Sequence, residues 1–189
     1  GDRLSRVHEE DFAEDKPTMA MQHTPLLMSN ILDRGAMVAP NEEIVTLTET
    51  GVRRQSYRET RDRAHQLAHA LAGIGIKVGD RVGTFMWNGS RHLEAYHAVA
   101  GMGAVLHTLN VRLSPKDLEY IINHAEDQII IVDADVLPLL EVLNGKIPTV
   151  RKIIVATEDG FEGWSTGLPD PVDYEAFING QPTHYEWPQ

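Results

Sequence analysis

The sequence predicts an α/β fold with a mostly parallel sheet and helices on both faces. From Val78 onward, four apolar segments (RVGTFMW, AVLHTL, QIIIVD and VRKIIVA) alternate with segments of helical pattern. Several of these segments are continuous Val/Ile/Leu runs without polar alternation. Because helices cover both faces of a parallel sheet, its strands are apolar at successive positions. This alternation and the continuous runs together indicate a buried parallel sheet.

Two helices and a hairpin are predicted before this repeating part. Apolar residues at helical spacing predict a helix over residues 26–37, which Pro40 ends. Apolar and polar residues then alternate in EIVTLTETGVRRQSY, which predicts a hairpin turning at residues 49–51. The next segment, YRETRDRAHQLAHALAGIG, has its apolar residues on one helical face and ends at Gly73 or Gly75.

Three further helices separate the four strands, and the pattern ends after Thr157. One helix follows Asn88-Gly89-Ser90, a second runs from Ser114 through Ala125, and VLPLLEVL forms a short third. Residues 157–189 are rich in Gly, Pro and Asp, with one helical turn at Tyr174–Ile178. We therefore divide the chain into a flexible leader (1–24), an α/β subdomain (25–156) and a loop-rich connector (157–189).

Composition excludes several classes of protein. The chain has 17 Lys and Arg against 28 Asp and Glu, a net charge of −11, which disfavours binding to nucleic acid. Cysteine is absent, so disulfides, zinc–thiolate sites and thiol nucleophiles are excluded. No apolar run approaches the roughly 20 residues that span a bilayer. The first residues have no signal-peptide pattern. We expect no transmembrane segment and a cytoplasmic location.

The polar turn before the Ser114 helix is one candidate site. Ser114 is a good N-cap, Pro115 suits the first helical position, and Asp117 falls where a capping box places its acid. A well-made helix start accounts for all three residues. The alternative is an anion site, because a helix N-terminus after a buried strand offers free N–H groups, here beside Arg112.

Two aspartates form a second candidate site. Asp133 and Asp135 follow the third strand, at the carboxyl end where open α/β sheets bind ligands. They can bind a ribose or Mg²⁺, or they can cap the following helix, which is the commoner role for aspartate.

The remaining polar clusters have simpler interpretations. His65 and His69 are spaced i, i+4 but lack a third ligand, so we expect them on an exposed helix face. His107 is expected to be a hydrogen-bonded core histidine. Five arginines alternate with acids, as on a solvated helix face: Arg53, Arg54, Arg58, Arg61 and Arg63. No phosphate-loop motif, dinucleotide fingerprint or Ser-His-acid arrangement is present, so we assign no catalytic residue and no metal ligand.

Two blocks of sequence carry a family resemblance. Residues 57–80 and the stretch GMGAVLHTLNVRLSPKDLEYIINHAED (101–127) resemble the N-terminal part of adenylate-forming acyl-CoA synthetases, of the AMP-binding superfamily. The chain looks most like bacterial medium- and long-chain fatty-acid–CoA ligases, over residues 25–156. The resemblance implies that a carboxylate reacts with ATP to form an acyl-adenylate, from which the thiol of CoA then displaces AMP.

The resemblance also implies what this part of the enzyme lacks and what it contacts. In such enzymes the phosphate loop, the magnesium-binding glutamate, the ribose-binding aspartate and the catalytic lysine lie beyond the stretch THYEWPQ. We therefore expect ATP, CoA and Mg²⁺ to serve the whole enzyme, none of them to bind this chain tightly, and the chain alone to be inactive. By the same resemblance, Asn110, Val111 and Arg112 contact CoA, although related enzymes have glycines where Val111 and Arg112 stand. Residues 26–49 are expected to form a homodimer contact.

Two alternatives to the hypothesis of a fatty-acid–CoA ligase stay open. The substrate can instead be a small or sulfur-bearing acid such as 3-methylmercaptopropionate, or an aromatic acid. The chain can also be a stand-alone binding or dimerisation module.

Overall fold

A parallel sheet lies at the centre of the computed structural model, which describes residues 26–48, 51–158 and 166–188. The strands are β1 (Glu43–Thr48), β2 (Gly51–Ser56), β3 (Arg81–Phe85), β4 (Val105–Thr108), β5 (Ile129–Asp133), β6 (Lys152–Ala156) and β7 (Pro171–Asp173). The helices are α1 (Met28–Val38), α2 (Tyr57–Gly73), α3 (Ser90–Gly101), α4 (Pro115–Ala125), α5 (Leu137–Glu141) and α6 (Tyr174–Ile178). The predicted leader, residues 1–24, lies outside the described residues.

The order of the strands places a reversal at β3. The parallel sheet has the order β4-β3-β5-β6-β7, and β1 and β2 form a separate antiparallel hairpin. From β3 the chain moves outward to β4, then returns past β3 to β5 and continues to β6. Right-handed crossovers in opposite directions place their helices on opposite faces of the sheet. Helix α3 accordingly packs on one face, whereas α4 and α5 pack on the other.

The continuous apolar runs of the strands fill two cores, one on each face of the sheet. In β5, Ile129 and Ile131 face the core formed with α1, α2, α3 and α6. Ile130 and Val132 face the core formed with α4 and α5. All four side chains are fully buried. Since successive strand residues point to opposite faces, burial of both faces requires apolar residues at each position.

The predicted connector contains a strand that the sequence analysis did not include. Strand β7 extends the sheet beside β6, where Ile154 is paired with Val172, and α6 follows at once. Tyr174 and Ile178 of α6 are buried in the first core. A strand of three residues, all half-buried, is too short to show a period in sequence. The domain boundary at residue 156 stays a prediction.

The other predicted elements are present, and local capping explains where two helices begin. At α2, Ser56 and Glu59 form a reciprocal capping box: the Glu59 N–H donates to Ser56 Oγ, and the Ser56 N–H donates to the Glu59 carboxylate. At α4, Ser114 Oγ accepts from the N–H of Asp117, as predicted. Two residues of the predicted hairpin turn, 49 and 50, lie outside the described residues. Among the helices that are described, none is long and apolar enough to cross a membrane.

Candidate functional site

A cleft of about 280 Å³ opens between the β1–β2 hairpin and the carboxyl ends of β3, β5 and β6. In open α/β sheets, ligands bind outside the carboxyl ends of the strands, where adjacent connections leave in opposite directions. Here the connection after β3 leads to β4, while the connection after β5 leads the other way, to β6. The cleft therefore lies at the topological switch point of the sheet.

Trp87 joins the two aspartates that line the cleft. Its backbone N–H donates to Asp133 Oδ2 at 2.7 Å, and its indole Nε1–H donates to Asp135 Oδ2 at 2.8 Å. The N-cap position of α5 is Val136, which makes no side-chain capping bond. The commoner role that we weighed for the two aspartates, helix capping, is therefore wrong for α5. The aspartates instead connect the end of β5 to the end of β3.

The environment of Asp133 disfavours its ionised form. Burial raises the pKa of Asp133, the Trp87 N–H lowers it, and the nearby charge of Asp135 raises it, with a result of about 6. A carboxyl group with a pKa raised by burial at a switch point is a candidate functional group.

A buried carboxylate, Glu94, is the centre of an ion-pair network that forms one wall of the cleft where Arg91 and Glu158 line it, although Glu94 itself does not line the cleft. It is fully buried in α3 and accepts hydrogen bonds from three elements. The donors are Gln55 Nε2 at 2.8 Å, Arg63 Nε at 2.7 Å and the Tyr174 hydroxyl at 2.7 Å. Since an unpaired buried charge is costly, these three donors are what permits a carboxylate in this core.

From Glu94, ion pairs continue through α2 and α6 to the cleft. Arg63 binds Glu175 through both Nη atoms, at 2.8 and 2.9 Å. Glu175 also accepts from Arg91 Nε at 2.8 Å, and Arg91 Nη1 donates to Glu158 at 2.9 Å, which also pairs with Arg53. Burial acts to raise the pKa of Glu175, but the hydrogen bonds and charges of the two arginines lower it to about 2. Glu175 therefore stays ionised at neutral pH.

The arginine cluster is thus only partly the solvated face that the sequence predicted. Arg54 pairs with Glu43 across the exposed hairpin, and Arg61 pairs with Asp62. Arg53 and Arg63, in contrast, bind acids that lie far away in sequence.

The prediction of an exposed face is also wrong for His65, whose residue is 3% exposed. Its Nε2 lies 3.0 Å from Asp33 Oδ1, and its Nδ1 accepts from the Tyr185 N–H at 2.7 Å. One turn later, His69 Nε2 donates to the carbonyl of His184 at 2.6 Å. The two histidines therefore hold the segment around Tyr185 onto α2.

His107 is hydrogen-bonded as predicted, through its Nδ1 to the buried Asp127 at 2.8 Å, but it is half-buried rather than a core residue. Burial raises the pKa of Asp127, and the hydrogen bond and charge of His107 oppose that rise. The described part of the chain brings together no group of three or more His, Cys, Asp or Glu that could hold a metal ion.

The turn predicted to contact CoA is a separate feature that does not line the cleft. It follows β4, and Asn110 Oδ1 accepts from the backbone N–H of Arg112 at 2.9 Å. Val111 packs against the second core, whereas Asn110 and Arg112 are exposed. The structure is consistent with a surface contact there, but the CoA contact itself stays a prediction.

Several residues of the cleft and of its ion-pair network were missed by the sequence analysis. Glu94 carried a usable signal, because a charged residue one helix turn before the apolar Ala98 requires partners if that face is buried. Trp87, Ser90 and Glu158 carried none, since each lies in a polar turn at the end of an apolar element.

The fold and the cleft together define an α/β domain with a cleft at its topological switch point, where such domains bind ligands. The chain belongs to the family of AMP-binding enzymes, which matches residues 32–182. This confirms the resemblance seen in the sequence.

Individual relatives within this family are acid–CoA ligases. The chain is 46% identical over 145 residues to a long-chain-fatty-acid–CoA ligase of Thermus thermophilus, covering 76% of this chain and 27% of that ligase. It is 36% identical over 172 residues to a 3-methylmercaptopropionyl-CoA ligase of Ruegeria lacuscaerulensis, covering 89% of this chain and 31% of that ligase. The chain therefore spans less than a third of these curated relatives.

The fold is also that of solved ligase structures. An anthranilate CoA ligase in complex with anthranoyl-AMP superposes with a TM-score of 0.76 at 27% identity, over 88% of this chain and 30% of that one. The predicted α/β fold class is thereby confirmed.

Proposed function

We propose that this chain is the N-terminal part of an ATP-dependent fatty-acid–CoA ligase. The overall reaction joins a carboxylate to CoA and converts ATP to AMP and pyrophosphate. The observation that carries this proposal is the 46% identity to a long-chain-fatty-acid–CoA ligase across 76% of the chain. The whole enzyme uses ATP and CoA, with Mg²⁺ on the phosphates.

In this proposal the chain supplies part of the structural framework of the enzyme and one contact with CoA. Stabilising the charge of an adenylation transition state requires positioned cations and N–H donors on the phosphates. Arg53, Arg63 and Arg91 are already engaged by glutamates in the ion-pair network. The chain alone is therefore inactive, and ATP, CoA and Mg²⁺ do not bind it tightly. Asn110, Val111 and Arg112 contact CoA in the whole enzyme.

An exposed apolar surface supports the proposed homodimer. Within residues 26–48, seven large apolar side chains are exposed: Leu26, Met28, Ile31, Met37, Val38, Val45 and Leu47. Exposed apolar residues that lie next to one another often mark interfaces. The exposed apolar side chains of this segment are therefore available for a subunit contact. A cytoplasmic location for the enzyme stays a prediction.

A smaller acid is the second candidate substrate. The 36% identity to a 3-methylmercaptopropionyl-CoA ligase covers 89% of the chain, more than the fatty-acid ligase covers.

Pyrophosphate release tests the proposal. The whole enzyme and the 189-residue chain are assayed with ATP and acids from acetate to palmitate, together with 3-methylmercaptopropionate. We expect activity that rises with chain length in the whole enzyme and none in the chain. Robust release by the isolated chain contradicts the proposal, and a preference for 3-methylmercaptopropionate selects the second candidate.

Arg112→Ala tests the CoA contact in the same assay, with Lys116→Ala as the matched exposed cation in the adjacent helix turn. We expect Arg112→Ala to raise KM for CoA and leave adenylation unchanged, and Lys116→Ala to change neither. Equal effects of both substitutions would contradict the proposed contact between Arg112 and CoA.

A further inference from the structure

The two aspartates that line the cleft have no structural role that requires two charges. Neither caps α5, and each is held by a neutral N–H donor of Trp87 at its Oδ2 atom. Asp133 is half-buried and Asp135 is exposed. A carboxylate that is partly buried without a paired cation is disfavoured, as the raised pKa of Asp133 indicates, although the charge of Arg91 opposes that rise. The cleft therefore contains two carboxylates that its own cations do not pair with.

The charges that line the cleft favour a cation. Three acids (Asp133, Asp135 and Glu158) face two arginines (Arg53 and Arg91), which leaves the lining with one net negative charge. Both arginines pair with Glu158, and Arg91 also pairs with Glu175. Among the described residues, neither aspartate makes an ion pair, so the positive charge of the lining is already engaged elsewhere.

A second, independent observation comes from Ser90, which lines the same cleft. The residue is 1% exposed, and its Oγ has no hydrogen-bond partner among the described residues. Its backbone N–H donates to Thr46 Oγ1 at 3.1 Å, which fixes the backbone at the start of α3. An orphaned buried hydroxyl is rare and calls for a partner that the described residues do not provide.

The indole of Trp87 adds an aromatic surface. The residue lines the cleft, is 47% exposed, and has its Nε1–H fixed by Asp135. A cation over an aromatic face is attracted by its electrons, most strongly for tryptophan. Carboxylates, a hydroxyl and an exposed indole are therefore combined in one site.

The kind of cation follows from the ligands that are present. The described residues offer no group of three or more metal-ligating side chains, which argues against a metal ion. An ammonium group instead donates up to three hydrogen bonds and suits two carboxylates and a hydroxyl. We propose that the cleft binds a primary ammonium group, with Asp133, Asp135 and Ser90 as acceptors and the Trp87 indole beside it. A free alkylamine or a lysine side chain can supply this group.

The proposal includes a pH dependence. The charged and titratable groups that share the cleft with Asp133 are Asp135, Arg53, Arg91, His92 and Glu158. Burial raises the pKa of Asp133 and the Trp87 N–H lowers it. Of these charges, Asp135 and Glu158 raise it and Arg91 lowers it, with a result of about 6, above the ordinary value of 3.8. An ammonium group binds the ionised carboxylate, so its affinity is full above pH 6 and falls as Asp133 takes up a proton below it. One pH unit below that pKa, about a tenth of the carboxylate is ionised, which gives a loss of about tenfold.

The test follows the indole N–H signal of Trp87 by NMR in the full chain. The probes are n-butylammonium, Nα-acetyllysine N-methylamide and, as the neutral isostere, n-butanol. At pH 7.5 we expect both ammonium probes to shift the signal saturably and butanol to have no effect. At pH 5 we expect affinity about tenfold lower. Tighter binding of the lysine derivative identifies a protein side chain as the source, and tighter binding of butylammonium identifies a free amine.

Variants separate the site from general charge effects. Asp133→Asn keeps the shape of the side chain and is expected to weaken ammonium binding about tenfold and to remove the pH dependence. Ser90→Ala provides a second variant with no change of charge, expected to weaken binding several-fold. Asp117→Asn, an exposed acid at the α4 N-terminus, is the matched control and is expected to change neither.

Equal shifts with butanol, no saturable shift at pH 7.5, or unaltered binding in Asp133→Asn would overturn the proposal. The test requires no ligase activity, so its result is independent of the proposed function.

Discussion

The turn at residues 110–117 and the wall of the cleft differ in how far their hydrogen bonds reach along the chain. In the turn, Asn110 binds the N–H of Arg112 two residues away, and Ser114 binds Asp117 three residues away. In the wall, Arg63 binds Glu175 across 112 residues, and Tyr174 binds Glu94 across 80. The turn can form before the rest of the domain, whereas the wall exists only in the folded sheet. Substitutions should therefore cost less in the first region than in the second.

Glu94→Ala should have the largest effect. It leaves Arg63, Gln55 and Tyr174 without their shared acceptor in a fully buried position. Arg63 keeps its pair with Glu175, so the main cost comes from the buried Tyr174 hydroxyl and the Gln55 amide that lose this acceptor, about 1–3 kcal/mol for each group. We expect the free energy of unfolding, measured by urea denaturation, to fall by about the sum of these two costs.

The control for Glu94→Ala is Glu43→Ala, which removes an equally charged side chain from an exposed pair. The pair joins Glu43 to Arg54 at 2.7 Å, with side chains 47% and 60% exposed. Exposed ion pairs contribute at most about 1 kcal/mol. If both substitutions cost the same, long-range pairing is not what holds the wall together.

Gly101→Ala should have an intermediate effect on the segment that follows α6. A Cβ built at Gly101, the last residue of α3, would lie 2.8 Å from the Trp187 ring. The ring is also held by its Nε1–H on Asp33 at 3.1 Å, so it cannot move freely. Overpacking of this kind costs about 1–3 kcal/mol. We expect a lower free energy of unfolding and a changed Trp187 emission.

Gly73, the last residue of α2, provides the matched control. A Cβ there would meet nothing within 4 Å, and its φ is not positive. Replacing such a helical glycine with alanine stabilises a protein by about 0.4–1 kcal/mol. The two substitutions should therefore change the free energy of unfolding in opposite directions. A loss of stability in both would mean that helix ends, rather than contact with Trp187, determine the effect.

The fold was largely predictable because its elements carry their own periodicity. The Ile129–Asp133 strand and the Pro115–Ala125 helix are specified by runs, caps and spacing within a few residues. Strand β7 was missed because three half-buried residues carry no period and are identified only by pairing with β6. The sequence pattern therefore predicts a long helix or strand more reliably than a short one.

The cleft was predictable only in its position. The carboxyl end of the third predicted strand pointed to Asp133 and Asp135, and the structure places both there. That Trp87 binds both aspartates could not be inferred, because the adjacency of β3 and β5 depends on the strand order. The family resemblance pointed instead to the turn at Asn110, where the matching residues are adjacent in the sequence.

Ser114→Ala should have the smallest effect, because it acts within one helix turn. It removes the Oγ that accepts from the Asp117 N–H at 3.3 Å and donates to the Asp117 carboxylate at 2.7 Å. Loss of an N-cap costs about 1 kcal/mol. Lys116→Ala, exposed in the same turn, is the control and should stay within about 0.5 kcal/mol of the parent.

Combining Ser114→Ala with Glu94→Ala then tests the difference between the two regions directly. Among the described residues, the two sites share no hydrogen-bond partner: Ser114 binds Asp117, and Glu94 binds residues of β2, α2 and α6. Independent sites add to within about 0.5 kcal/mol. We expect the double variant to lose the sum of the two single effects in urea denaturation. A clear departure from that sum would show that the start of α4 and the wall of the cleft are coupled through the sheet, and the turn would then not be a local unit.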